Sequence, residues 1–264
     1  MKALGIDIGS VTTKVVALDG NRLIAADVAP SGENAEAATR ATMADTLHKA
    51  GLAADNSWYI VATGIGGKSL SFPQQQKTIT TCLARGVHFL FPSARMAIDL
   101  GAESGTVIKL NERGRLTDWA THDQCAAGTG MFLQQMAKLM QIPLEEMAKV
   151  SYGAKNRAEI TSTCAVFAES EVISHVHRIP PTPKEEIVAG IYLSVVRRIV
   201  ALCKRVGIEK DVAITGGVAL SSGLVKILEG ELGFGVLVPE QPEIVAALGA
   251  AVVAGEAIEK GMVK

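Results

Sequence analysis

The chain contains one pattern twice, and this internal duplication constrains the fold more than any other feature of the sequence. Residues 4–27 (LGIDIGSVTTKVVALDGNRLIAAD) and residues 96–119 (MAIDLGAESGTVIKLNERGRLTDW) share one order of segments: apolar run, Asp-x-Gly, polar turn, β-branched run, glycine-containing turn, third run. Alternating β-branched residues predict strands, and the turns at residues 19–20 and 112–114 predict hairpin connections. Each copy is therefore expected to form three consecutive strands.

Helices and further strands are predicted after each set of three strands. The first copy continues with a helix at residues 34–50 and a strand at 58–64. The second continues with helices at 131–141, 165–178, 185–206 and 218–232, and with strands at 211–217 and 235–239. One stripe of the longest helix collects the apolar residues Ile187, Ile191, Val195, Ile199, Leu202 and Val206. The whole pattern predicts an α/β fold of two similar halves with a cleft between them.

Composition argues against two classes of partner. The 264 residues carry 26 basic and 27 acidic side chains in no long run of one sign, which argues against nucleic acid and against an anionic membrane. The first residues lack the pattern of a secretory signal, and the longest nearly uncharged stretch, 244–255, is too short to cross a bilayer. A cytoplasmic protein with a protein or small-molecule partner is expected.

Each Asp-x-Gly falls where a strand ends and a tight turn begins. Glycine lets an anion approach the backbone, neighbouring amides and hydroxyls donate to phosphate oxygens, and the carboxylate binds hydrated Mg²⁺. A single such turn is as readily an ordinary connection, but its repetition favours phosphate binding. The first predicted phosphate loop contains Asp7, Gly9, Ser10, Thr12, Thr13 and Lys14. The second contains Asp99 and Gly101.

A glycine pair, Gly216 and Gly217, ends a predicted strand and opens a helix. Backbone amides and the helix dipole at such a place favour a nucleotide, although Gly-Gly alone often marks only a tight connection.

Two isolated cysteines, Cys125 and Cys164, each stand at the start of a predicted helix. An iron–sulfur cubane takes four thiolates, so these two would be half of a metal site that a second chain completes across a two-fold axis. The alternative is a pair of buried, inert thiols, because no Cys-x-x-Cys spacing is present. Cys203 falls in the apolar periodicity of its helix and is predicted to be core, and Cys82 has no metal-ligating neighbour in the sequence.

The segment Gly128-Thr129-Gly130 links Cys125 to the helix after it. It is interpreted as a flexible connection, as a hinge or phosphate contact, or as both.

Several of these segments resemble a known superfamily. The motifs DIGSVTTK (7–14), the second Asp-x-Gly, TGG (215–217) and ALGAAVVAG (247–255) resemble the actin, sugar kinase and Hsp70 superfamily of ATPases. The resemblance implies two ribonuclease H-like subdomains around a nucleotide cleft, with residues 1–92 and 243–264 in the first and residues 93–242 in the second.

A narrower resemblance covers nearly the whole chain. The segments TITTCLARGVHFLFP (78–92), CAAGTGMFL (125–133), CAVFAESEVIS (164–174) and VPEQPEIVAALGAA (238–251) resemble ATPase activators of 2-hydroxyacyl-CoA dehydratases and ATPase subunits of benzoyl-CoA reductase. That resemblance implies ATP, Mg²⁺ and a [4Fe-4S] cluster as cofactors, and Cys125 and Cys164 as the cluster ligands of each subunit. It also implies that Asp7 and Asp99 position Mg²⁺ and the attacking water, and that Gly216 and Gly217 lie near the adenosine.

Two motifs depart from the usual activator pattern. Homodimeric activators usually read Asp-Ile-Gly-Gly-Gln-Asp at the second loop, whereas residues 99–105 read DLGAESG, and the usual Thr-Gly-Tyr-Gly-Arg is replaced by TGIGG at residues 63–67. The second loop looks more like that of the divergent ATPase subunit of benzoyl-CoA reductases, so either a homodimer or a heterodimer with a related chain is expected.

The function expected from this resemblance is that of an ATP-dependent electron donor. It would take electrons from a ferredoxin or similar donor and pass them singly to a larger iron–sulfur enzyme that acts on a CoA thioester, such as benzoyl-CoA reductase. The alternative is an activator of a 2-hydroxyacyl-CoA dehydratase. Alternatives of another class are a small-molecule kinase, in which Asp99 would be the base, and a non-catalytic nucleotide-binding regulator.

Overall fold

The fold is that of a computed structural model, which describes residues 2–55, 57–122 and 130–261. The chain divides into two compact units. The first comprises Met1–Ala97, Ile108–Asp118 and Pro239–Lys264, and the second comprises Ile98–Val107 and Trp119–Val238. The ribonuclease H-like subdomain boundaries expected from the sequence stay a prediction.

The first sheet has five strands in the order β3-β2-β1-β4-β5. The strands are β1 (Lys2–Ile8), β2 (Thr12–Asp19), β3 (Arg22–Pro30), β4 (Trp58–Thr63) and β5 (Gln75–Gln76). Strand β1 pairs antiparallel with β2 and parallel with β4, and this register sets Asp7 between Lys14 on one side and Thr63 on the other. The predicted three-strand order and the hairpin at residues 19–20 are confirmed.

Helices cover both faces of this sheet. They are α1 (Ala35–Lys49), α2 (Ile79–Leu90) and α8 (Val245–Glu259). Alternation along β1 directs Leu4, Ile6 and Ile8 into a core cluster that includes Leu47 of α1. The opposite face packs against α8, whose small residues allow a close approach. A Cβ at Gly249 of α8 would lie 1.7 Å from a backbone oxygen of α2.

The second sheet repeats the strand order of the first. Its order is β8-β7-β6-β9, and its strands are β6 (Met96–Leu100), β7 (Gly105–Leu110), β8 (Leu116–His122) and β9 (Val212–Thr215). In each sheet the three consecutive strands of one copy lie side by side. The next strand along the chain, β4 or β9, pairs with the first strand of its copy, β1 or β6. The topology therefore agrees with the duplication seen in the sequence.

The remaining helices are α3 (Gly130–Met140), α4 (Met147–Ser151), α5 (Ala165–His177), α6 (Lys184–Val206) and α7 (Ser222–Leu232). The six residues of the predicted stripe on α6 are all buried. The helix predicted at 218–232 is instead divided, because Gly217–Leu220 forms a 3₁₀ turn and Ser221 is extended before α7 begins.

The prediction of a strand at residues 235–239 is wrong, because the described structure forms no strand there. Only Leu237 pairs with Ala213, as an isolated parallel bridge. Gly235 weakens a strand and Pro239 has no N–H to donate, so the ladder does not extend.

No helix in the described residues is long and apolar enough to cross a membrane.

Candidate functional site

The first candidate loop follows strand β1 and is built around a buried carboxylate. Asp7 Oδ2 lies 3.4 Å from Lys14 Nζ, which also donates to the carbonyl of Thr12 at 3.2 Å. Asp7 Oδ1 is buried and has no hydrogen-bond partner among the described residues. Desolvation raises the pKa of Asp7, and the Lys14 ammonium offsets part of this shift. One carboxylate oxygen is thus left for a cation, a water molecule or a ligand proton.

The turn itself is held from inside by two hydroxyls. Gly9 N–H donates to the carbonyl of Thr12 at 3.0 Å, which closes the turn. The Thr13 hydroxyl is fully buried and lies 3.0 Å from the Ser31 hydroxyl, which donates to the carbonyl of Gly9 at 2.9 Å. Ser10 is exposed and Thr12 is half-buried. The hydroxyls that face outward are therefore those of Ser10 and Thr12, whereas Thr13 stabilises the loop.

The end of strand β4 lies against the same carboxylate. Gly64, the residue after Thr63, has φ +84°, and a Cβ there would lie 2.4 Å from the carbonyl oxygen of Ile8 and 2.5 Å from Asp7 Oδ1. Gly66 N–H donates to that same carbonyl at 3.1 Å. Only glycine fits this close approach, so Gly64 shapes the surroundings of Asp7.

The second candidate loop, in the second unit, repeats this arrangement. Asp99 Oδ1 accepts a hydrogen bond of 2.8 Å from the Thr215 hydroxyl at the end of β9. Gly216 has φ +84°, and a Cβ there would lie 2.3 Å from the carbonyl oxygen of Leu100. Gly101 N–H donates to the carbonyl of Ser104 at 3.0 Å. Each Asp-x-Gly is therefore accompanied by a Thr-Gly from the strand that pairs beside it.

Sequence reasoning missed this Thr-Gly pairing. Residues 63–64 and 215–216 both read Thr-Gly after a short apolar strand, which is the signal that would have revealed it. Gly217, in contrast, has open space where its Cβ would lie, so packing does not require glycine there.

Helix α3 begins directly on the second loop. The N–H of Gly130 donates to the carbonyl of Gly101 at 3.0 Å, and the N–H of Met131 donates to the carbonyl of Ala102 at 2.9 Å. A Cβ at Gly130 would lie 3.2 Å from the Gly101 oxygen, which is tighter than an ordinary contact. The predicted residues Cys125, Gly128 and Thr129 lie outside the described residues. Helix α3, the first described element after Cys125, therefore begins at the second loop.

Cys164 is the N-cap residue of helix α5. Its carbonyl accepts from the N–H of Ala168 at 3.0 Å, and its half-buried side chain makes no capping hydrogen bond. Val166 and Phe167, in the next turn, are 66% and 65% exposed, so Cys164 stands beside an apolar surface.

The other two described cysteines have inert surroundings. Cys82 and Cys203 are fully buried, and desolvation raises the pKa of each thiol to about 12. The prediction that Cys203 belongs to the core is confirmed. Among the described residues, no group of three or more His, Cys, Asp or Glu side chains is arranged to hold a metal ion.

Comparison with known proteins identifies the family. The sequence model of the BadF/BadG/BcrA/BcrD ATPase family matches residues 4–254. The chain belongs to this family. The 2-hydroxyisocaproyl-CoA dehydratase activator of Clostridioides difficile is 40% identical over 96% of this chain and 95% of its own length. The solved structure of that activator with bound ADPNP has a TM-score of 0.92 and 38% identity, and the match covers 100% of this chain and 98% of the activator chain.

Two further relatives bear on the choice between the two functions expected from the sequence, a dehydratase activator and a benzoyl-CoA reductase subunit. The activator of lactoyl-CoA dehydratase from Anaerotignum propionicum is 41% identical over 98% of this chain and 100% of its own length. A subunit of the benzoyl-CoA reductase of Thauera aromatica is 39% identical, but over 69% of this chain and 64% of its own length. The greater coverage of the activators therefore favours a dehydratase activator over a benzoyl-CoA reductase subunit.

The predicted fold class is confirmed. The α/β fold with two sheets is that of the actin and sugar kinase superfamily. A ROK family glucokinase from Streptomyces griseus, 13% identical with a TM-score of 0.57 over 97% of this chain and 100% of its own, shares the fold alone.

Proposed function

We propose that this chain is an ATP-hydrolysing activator that delivers single electrons to a 2-hydroxyacyl-CoA dehydratase. The observation that carries the proposal is the similarity to two such activators along nearly the whole chain. The two Asp and Thr-Gly arrangements, and Cys164 at the N-terminus of α5, are residues that would serve this activity. A related activator holds an ATP analogue in its solved structure, which supports ATP as the nucleotide here.

Each Asp-x-Gly loop is proposed to bind phosphate oxygens. At the first loop, the outward hydroxyls of Ser10 and Thr12 and the Lys14 ammonium would donate to phosphate, with Gly9 allowing close approach. The buried, unpartnered Oδ1 of Asp7 suits a hydrated Mg²⁺, because carboxylate oxygen is a preferred ligand of that ion.

The second loop would orient the water that attacks the terminal phosphate. Thr215 fixes one oxygen of Asp99 at 2.8 Å, so the carboxylate is held in one orientation. The N–H of Gly130 is bonded to the carbonyl of Gly101, two residues after Asp99, so both glycines bring backbone close to this loop. Gly128 and Thr129 are proposed to extend this phosphate contact, and Gly216 and Gly217 to lie near the adenosine.

Cys125 and Cys164 are proposed to hold a [4Fe-4S] cluster together with the same two residues of a second protomer. Cys164 fits, since its side chain is half-buried, unused by a cap, and placed at the N-terminus of a helix. A cluster bound there would supply a one-electron redox couple. The exposed Val166 and Phe167 beside Cys164 favour contact with another protein at this end of α5.

ATP would be needed because the cluster must reach a low reduction potential before it can pass its electron to the dehydratase. Lowering a one-electron potential by about 300 mV corresponds to about 7 kcal/mol, at about 59 mV for each tenfold change in equilibrium constant. Binding or hydrolysis at the second loop would act on Gly130, whose N–H is bonded to that loop and which opens the helix after Cys125. Nucleotide state and cluster environment are thereby proposed to be coupled through α3.

The partner is proposed to be an iron–sulfur dehydratase, with a ferredoxin or similar protein as electron donor. A homodimer is preferred, because the two activators match this chain over nearly its whole length whereas the reductase subunit matches 69% of it.

Oxygen-free purification with iron and sulfide analysis tests the proposal. We expect about four iron and about four sulfide per dimer, together with a visible charge-transfer band. Cys164→Ser should lose the metal, whereas Cys203→Ala, which changes a buried thiol, should retain it. Metal-free wild-type protein, or a Cys164→Ser variant with full iron content, would refute the cluster assignment.

A second measurement separates nucleotide chemistry from the cluster. Asp7→Asn should abolish ATP hydrolysis and leave the iron content and visible spectrum unchanged. ATP-dependent activation of an iron–sulfur 2-hydroxyacyl-CoA dehydratase by the wild-type protein then tests the partner, and activation of benzoyl-CoA reduction instead would reverse the choice between the two functions.

A further inference from the structure

The segment that leads into Cys164 is fixed at alternate residues by side chains of the helices after it. The His175 ring lies with Nε2 at 3.1 Å from the carbonyl of Glu159, and since a carbonyl only accepts, Nε2 donates. Two residues later, the N–H of Thr161 donates to Glu171 Oε2 at 2.6 Å. Both partners belong to α5. Two backbone groups before Cys164, at Glu159 and Thr161, are therefore hydrogen-bonded to side chains of α5.

Arg198 on α6 makes the third contact of this kind and the one nearest to Cys164. Its Nη2 donates to the carbonyl of Thr163 at 2.6 Å, which is the peptide group immediately before the cysteine. The other amino group of the same planar guanidinium, Nη1, is buried and donates to no partner among the described residues. A buried donor without an acceptor is destabilising, so a functional role for this N–H is worth seeking.

We propose that Arg198 is a positioning residue for Cys164 and that its guanidinium favours the reduced state of the cluster held there. This inference rests on the proposed function, because it assumes the [4Fe-4S] cluster. The hydrogen bond to Thr163 sets the backbone from which Cys164 projects. The guanidinium carries a fixed charge and is hydrogen-bonded to the peptide group that precedes Cys164, so it would add positive potential near an anionic cluster held by that thiolate.

The sign of the effect follows from charge. Reduction adds one electron, taken from an external donor, to a group that is already anionic, so a neighbouring positive charge stabilises the reduced form more than the oxidised form. Replacing Arg198 with a neutral residue of similar length should shift the equilibrium away from reduction. A tenfold change in the reduction constant, about 59 mV for a one-electron couple, is the expected size for a partly screened charge.

The test compares three variants of the anaerobically purified, cluster-loaded dimer by redox titration followed spectroscopically. Arg198→Gln should lower the midpoint potential by about 59 mV, corresponding to that tenfold change. Arg198→Lys keeps the charge and should restore the constant to within about threefold of the wild-type value. Arg197→Gln, which removes an exposed charge one residue earlier on α6, is the matched control and should leave the midpoint within the same threefold range. Equal midpoints for Arg198→Gln and the wild type would overturn the charge effect.

A second readout does not need the cluster. Hydrogen exchange in metal-free protein should be at least tenfold faster for backbone amides of residues 159–168 in Arg198→Gln than in the wild type, because the tie to Thr163 is lost. Arg197→Gln should exchange at the wild-type rate. Unchanged exchange in Arg198→Gln would overturn the positioning role, even if the wild type binds a cluster. A wild type without iron, with faster exchange in Arg198→Gln, would instead refute the proposed function and the charge effect while leaving the positioning role supported.

Discussion

Replacing Gly64 with alanine is the most direct test of how the first loop is built. The backbone at Gly64 has φ +84°, which costs a residue with a Cβ about 1–2 kcal/mol. The new Cβ would also lie 2.4 Å from the Ile8 carbonyl oxygen and 2.5 Å from Asp7 Oδ1, and such overpacking adds about 1–3 kcal/mol. We therefore expect Gly64→Ala to lower the free energy of unfolding by about 2–5 kcal/mol.

Two assays measure the consequence. At about 2–4 °C per kcal/mol for a chain of this size, the melting temperature of the nucleotide-free protein should fall by about 10 °C. The relief of overlap also moves the Asp7 carboxylate, and a displacement of about 1 Å at a reacting group costs about 100-fold in rate. The ATPase rate should therefore fall by about that factor at a temperature where the variant is still folded.

Gly67→Ala is the matched control in the same turn. Its Cβ would lie 3.7 Å from the nearest backbone atom, an ordinary contact, so its melting temperature and ATPase rate should stay close to the wild-type values. If Gly64→Ala and Gly67→Ala behave alike in both assays, the close approach of strand β4 to Asp7 is not what shapes this loop.

Three further outcomes are expected. Gly249→Ala should destabilise the protein by about 3 kcal/mol, because its Cβ would lie 1.7 Å from a backbone oxygen of α2. Gly255→Ala on the same helix meets nothing within 4 Å and should stabilise the protein by about 0.5 kcal/mol. Thermal unfolding of both variants checks this. Burial raises the pKa of Asp7, so the folded wild type loses stability relative to Asp7→Asn as pH rises from about 4 through that raised pKa. The difference in unfolding free energy between Asp7→Asn and the wild type should therefore shift in favour of Asp7→Asn between about pH 4 and about pH 7 in denaturant unfolding, whereas a difference independent of pH would contradict the burial cost. Iodoacetamide should leave Cys203 unlabelled in native metal-free protein at about pH 8, since burial raises the pKa of its thiol to about 12. The same reagent should label the half-buried Cys164. Peptide mass spectrometry checks both outcomes.

Local patterns in the sequence were enough to predict the elements whose periodicity is itself local. The three strands of each copy, the hairpin turns and the buried stripe of α6 all follow from residue alternation or from 3.6-residue spacing. The strand expected at residues 235–239 failed because pairing needs a partner that extends alongside, and only Leu237 has one in the described chain. Helix α8 was not predicted as a helix, although its sequence was recognised as a nearly uncharged stretch and as a family motif. Its Ala and Gly residues pack closely against the backbone of α2, so the helix has no polar face that would reveal its period.

The candidate site shows the same division. Asp7 and Asp99 were predicted from a repeated tripeptide, and Cys164 from its place before a helix. Gly64 and Arg198 were not, because each acts on a residue distant in sequence: Gly64 on the end of β1, and Arg198 on the peptide group before the cysteine.

The sequence by itself determined that two copies of one strand pattern exist, each with an Asp-x-Gly at the end of its first strand, because duplication and turn chemistry are written along the chain. Only the tertiary structure decided which Thr-Gly accompanies each aspartate and which loop hydroxyls face outward. The physical reason is that strand pairing brings together residues more than fifty positions apart, and their mutual burial fixes the φ angles and hydrogen bonds that no local pattern records.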